Sequence, residues 1–103
     1  MSGTSSAAHT PHWAQPCLGR SPRPDHQQLA FCARVTGRVI ASQAESGSGE
    51  THLLIVGGFH IVLVELPAGA RRPEWGSRIT AVGPLLRARN GQREVQALSV
   101  GGA

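Results

Sequence analysis

Lysine is missing from this chain: all ten basic residues are arginine, set against six acidic ones. A GC-rich genome produces that bias without selection. It leaves planar guanidinium groups as the only fixed cations, able to hold phosphate bidentately and to stack on bases. The net charge of +4 favours an anionic partner, nucleic acid first, and bears on association rather than on fold. Cysteine is nearly absent. Cys17 and Cys32 have neither metal-ligand nor redox spacing, and Cys17 falls in a segment expected to stay outside the folded domain. This argues against a disulfide and implies no zinc site. A reducing, intracellular setting is then the default: cytoplasm or nucleoid in a bacterium, nucleus in a eukaryote. No stretch reaches the roughly 18 uninterrupted apolar residues of a membrane helix. The start, MSGTSSAAHTPHWAQP, lacks the basic and apolar parts of a secretory leader, so no membrane partner is expected.

Catalytic groupings are missing too. Asp25 stands in the N-terminal segment, the glutamates are scattered, no Ser or Cys has a base beside it, and the glycine pairs belong to turns. These absences argue against an enzyme and imply no cofactor.

Residues 1–28 hold Pro11, Pro16, Pro22 and Pro24 among Ser, Thr, His and Gly, a composition that cannot bury enough to offset its ordering entropy. A flexible tail is expected there, with Trp13 as a candidate docking anchor for a protein partner or, more plainly, a residue packed on the domain. The domain is expected over residues 29–103. In LAFCARVTGRVIA (29–41), Leu29, Phe31, Ala33, Val35, Gly37 and Val39 share one face, the period of two of a half-buried strand. Gly37 in its middle suggests a bend.

In THLLIVGGFHIVLVEL (51–66), Gly57-Gly58 suit a two-residue hairpin turn. One face then holds His52, Leu54, Val56, Phe59, Ile61 and Leu63, and is assigned to the core. The other holds Leu53, Ile55, His60, Val62 and Val64. Both are apolar, so the second face needs a cover: a tail, a protein partner or a second copy of the chain. His52 and His60 fall on opposite faces and cannot share a metal ion. The connector PAGARRPEWGS (67–77) is too rich in Pro and Gly for a long helix. It brings Arg71 and Arg72 near Trp75, a combination that can hold a phosphate and stack a base. In the last unit, a two-residue turn at Asn90-Gly91 would set Arg87 against Glu94 and leave Arg89 at the tip, with a phase slip expected at Gly83-Pro84.

Five strands in about 70 residues, in this order, suggest an all-β chain folded as a small OB-fold Greek-key barrel. Arg34-Val35-Thr36-Gly37-Arg38-Val39 resembles the first strand of OB-fold proteins that bind single-stranded nucleic acid. Gly76-Ser77-Arg78-Ile79-Thr80-Ala81-Val82-Gly83 resembles the fourth strand of the single-stranded-DNA-binding and primosomal PriB families. The similarity spans residues 29–100 as a pattern. It implies binding of single-stranded DNA or RNA in a groove lined by Arg34 and Arg38 and flanked by Arg71, Arg72, Trp75, Arg87, Arg89 and Arg93. Those families place stacking aromatics on strands two and three, where this chain has only Phe59. The alternative expectation is an OB-fold interaction subunit of a replication, repair or telomere-type complex, docking through Leu53, Ile55, His60, Val62 and Val64, with Trp13 as a further anchor.

Overall fold

The computed structural model describes residues 10–21 and 23–102. A 3₁₀ helix at His12–Cys17 precedes six strands: β1 (Gln27–Ala44), β2 (Thr51–Gly57), β3 (His60–Leu66), β4 (Arg78–Arg87), β5 (Arg93–Gln96) and β6 (Ser99–Gly102). The sheet runs β1-β2-β3-β5-β4-β6, and β1 also pairs with β4. Strands β1 to β5 therefore close into a ring, antiparallel everywhere except the parallel β3–β5 pair. This is the expected five-stranded OB-fold barrel, with β6 added as a continuation of β5 along β4.

Closure rests on β1, which is long enough to serve two neighbours. Arg38 faces both Val56 of β2 and Arg78 of β4. The bend comes from extra residues on β1 between Val39 and Ala41 and between Gln28 and Ala33, so the slip expected at Gly83-Pro84 is carried by the partner strand. Such bulges turn a strand from one sheet to the next. They also end the simple alternation, which leaves Phe31, expected inside, exposed. Gly37 is required for a further reason: a Cβ there would lie 2.5 Å from the Val56 carbonyl oxygen.

The core is Val39, Leu53, Ile55, Val64, Leu66, Ile79, Ala81 and Ala97, with Val35, Val62 and Ala70 packed against it. The hairpin faces expected from the sequence exist, but their assignment is reversed. Leu53, Ile55, Val62 and Val64, read as an outward docking face, point into the barrel. Phe59, read as core, is 102% exposed at the turn. The loop is Gly58-Phe59, closed by Gly57 opposite His60, and Gly58 supplies the positive φ of 59° that such a turn needs. Aliphatic residues on both faces gave periodicity nothing by which to choose the inner one.

The last hairpin is corrected by one residue. Leu85 faces Val95, Leu86 faces Glu94 and Arg87 faces Arg93, because Ala88 N–H bonds to Gln92 O and Gly91 N–H to Ala88 O, giving a wider loop than two residues. A one-residue slip sends each side chain to the other face. The expected Arg87–Glu94 pair is thereby lost, and Glu94 lies buried on the outer surface. Where β5 passes into β6, Ala97 N–H bonds to Glu65 O and Leu98 N–H to Val82 O.

The N-terminal segment is folded over the barrel where its residues are described. Its 3₁₀ helix contacts β1 and β4, Ala14 and Cys17 are buried, and Cys17 is joined to Cys32 by a disulfide. Composition argued for a loose tail and unpaired cysteines. A cross-link and ion pairs hold the described residues of this segment where apolar burial alone would not, and residues 1–9 and 22 of that expected tail lie outside the described residues.

Candidate nucleic-acid interface

Three of the arginines expected to line one groove have local tasks. The Arg34 guanidinium lies over the Trp13 ring, 4.7 Å from its centroid, so Trp13 packs on the domain and a cation–π contact occupies both residues. Arg38 donates to Gly76 O at 3.0 Å. Arg72 donates to Ser42 Oγ at 2.9 Å. Trp75 Nε1 donates to Ile40 O at 3.2 Å with its ring left exposed. These last bonds fasten the connector along β1. Arg71 and Arg72 also border a cleft of about 490 Å³ with Arg78, above Leu66, Ile79 and Ala97.

The opposite end of β3 carries a different grouping. His60 and Ile61 of the β2–β3 tip share an open cleft of about 490 Å³ with Asn90, Gly91, Gln92 and Arg93 of the β4–β5 tip. The seven-residue β3 runs from this cleft to the other, His60 lining the former and Leu66 the latter, roughly 20 Å at the usual rise of a strand, so the expected arginines fall into two groups. At the tips, Arg87 and Arg93 stand directly opposite each other, both exposed. Arg89 reaches Asp25 Oδ1 at 3.1 Å, with side chains 83% and 69% exposed, an ion pair worth little in water. Ile61 of that cleft is exposed, and so is Phe59, the residue before His60 in the β2–β3 turn. Sequence reasoning missed Phe59 because a large apolar residue next to a strand defaults to core; its place immediately after Gly57-Gly58 was the signal that could have moved it to the loop.

A second grouping lies under the N-terminal segment, on the outer surface of β2, β3 and β5. Arg23 Nη1 donates to Glu65 Oε2 at 2.9 Å and Nη2 to Glu50 Oε2 at 3.1 Å. His26 Nε2 is 2.9 Å from Glu94 Oε2, and His52 Nε2 is 3.2 Å from Glu65 Oε2. These two imidazole contacts are charge proximities without hydrogen-bond geometry, since His52 Nε2, Glu65 Oε1 and Glu94 Oε2 have no hydrogen-bond partner. Burial is the main reason the Glu65 carboxyl titrates above its ordinary value; the Glu94 charge adds to the rise, while Arg23 and His52 oppose it.

A raised native pKa means that folded chains bind the Glu65 proton more tightly than unfolded ones. The stability this gives is present below the ordinary value of 4.5 and is lost as pH rises through the native value. Thermal melts in metal-free buffer should therefore show the wild type losing stability over that window relative to Glu65→Gln, which stays neutral. Parallel curves for the two proteins would contradict this.

No known family model matches the chain, and no curated protein matches it in sequence.

Proposed function

We propose that the protein binds single-stranded nucleic acid, DNA in the first instance, at the paired hairpin tips. Phe59 stacks a base while Arg87 and Arg93 hold phosphates. The observation that carries this reading is the exposed Phe59 at the β2–β3 tip, whose next two residues share a cleft with Arg93, together with the facing of Arg87 and Arg93 across β4–β5 with no acidic partner among the described residues. Like charges placed directly opposite destabilise a sheet, and a phosphate between them removes that cost. Arg89 joins the site by exchanging Asp25 for a phosphate. The sequence resemblance to single-stranded-DNA-binding families supports the same reading. The alternative of a docking subunit loses one of the two features that favoured it, because Leu53, Ile55 and Val64 are interior; the absence of an aromatic platform on strands two and three still speaks for it.

Fluorescence anisotropy with short labelled strands, at low and moderate salt, tests the proposal. Single strands should bind more tightly than duplex, with affinity falling steeply as salt rises. Phe59→Ala should weaken binding by about 1 to 3 kcal/mol without lowering Tm. Replacing both Arg87 and Arg93 by Ala should flatten the salt dependence by roughly one to two ions released. Absence of binding at about 50 mM salt would overturn the reading.

A further inference from the structure

We propose that Glu50, His52 and Glu65 form a divalent-cation site of the Zn²⁺ type, for which the Arg23 guanidinium is a built-in competitor. The site is separate from the hairpin tips and does not depend on their function.

His52 and Glu65 are directly paired in the β2–β3 register, so two ligands project from one hydrogen-bonded hairpin, and Glu50 stands one residue before β2. One ligand atom from each of the three lies within 4.8 Å of the others. Tetrahedral zinc, with bonds of about 2.0–2.1 Å, needs its ligands about 3.3 Å apart; His52 Nε2 and Glu65 Oε2 already stand 3.2 Å apart, so the closure needed, at most roughly 1.5 Å, falls to Glu50. The guanidinium keeps them apart by bridging the same two carboxylates that an ion would take. An imidazole with two carboxylates suits a borderline cation, and three protein ligands leave a fourth position for water.

The cluster also has unmet demand for positive charge. Glu65 is only 4% exposed, and both its Oε1 and the buried Nε2 of His52 have no hydrogen-bond partner. Arg23 is the one permanent cation bonded to Glu50 and Glu65, and the Glu94 carboxylate lies near enough to Glu65 to act on its charge. Buried carboxylates left short of charge and hydrogen bonds are costly, and a divalent ion supplies both charges with a directed bond to each ligand. Arg23 lies within the loop closed by Cys17–Cys32, so the ion gains its ligands only when the guanidinium swings away, and the strap sets the affinity.

The test is calorimetric titration of ZnCl₂ into the full chain after chelator treatment. Arg23→Gln should bind one Zn²⁺ per chain at least about tenfold more tightly than the wild type, the loss of a charge-assisted hydrogen bond by the competitor. Adding His52→Ala to that variant should abolish the gain. Equal affinity of Arg23→Gln and wild type, or a gain that survives His52→Ala, overturns the proposal. Should Arg23→Gln fail to fold, the wild type provides the decision by NMR. Excess Zn²⁺ should shift the His52 ring resonances and release the Arg23 guanidinium signal, whereas shifts confined to the exposed His12 and His60 refute the site.

Discussion

Gly83→Val should leave the chain without a cooperative folding transition. Gly83 sits in mid-β4, where a Cβ would overlap the Gln96 carbonyl oxygen and stand 3.3 Å from Ala97 Cα. Those atoms belong to the passage from β5 to β6, held by Ala97 N–H to Glu65 O and Leu98 N–H to Val82 O. Backbone clamped on both sides cannot yield as a side-chain terminus would. Forcing extra methyl groups into packed structure typically costs about 1 to 3 kcal/mol even where neighbours can shift. Here the ladder itself must open, and a barrel of this size has little stability in reserve. Circular dichroism melts should show no sigmoidal transition for Gly83→Val. Gly101→Ala is the control, because a Cβ there meets nothing within 4 Å, and its midpoint should stay close to that of the wild type. A normal melt for Gly83→Val would show that β5 can lift away from β4 without loss of the barrel.

Replacing both cysteines by serine should cost about 3 kcal/mol, the chain-entropy value for a closed loop of about 15 residues; Cys17 and Cys32 are separated by that many positions. For a domain of this length the loss corresponds to a fall in Tm of more than about 10 °C. The segment released carries Arg23 and His26 away from Glu50, Glu65 and Glu94, so buried acids lose their partners as well. Urea melts with and without reductant should coincide for the serine variant and separate for the wild type. Coincident wild-type curves would mean that the ion pairs, not the cross-link, hold the segment.

The barrel was legible because its signals agree: the period of two in β1 and the hairpins, the glycine-marked turns, and a spacing that leaves room for five strands. Two errors had a common cause, in that each depended on a choice periodicity cannot make. Residues 51–66 are aliphatic on both faces, so the alternation gave two correct sets and no sign of which was interior. At Asn90-Gly91 a two-residue turn and the wider Ala88–Gln92 loop fit the same residues, and one position of slip decides whether Arg87 meets Glu94 or Arg93. The strap was illegible for a different reason. Its Pro-rich composition describes what the segment cannot bury, whereas the structure holds its described residues with one covalent bond and with acids more than 20 positions away. Phe59 then becomes the most informative residue of the candidate interface, since periodicity placed it in the core and only the turn geometry revealed it outside both strands and exposed.

The double pairing of β1 also sets the order in which the protein can be made. Its early half pairs with the distant β4, Gln27 facing Arg87 across sixty positions of chain, while its later half pairs with the nearby β2. During synthesis the first three strands can form a meander as soon as they emerge, but the ring has no partner for Gln27–Arg38 until β4 has been translated. Folding is thereby weighted toward non-local contacts, the topology that slows barrels relative to helical domains. Until that moment the nascent chain presents an unclosed sheet edge of the kind that invites pairing with other chains.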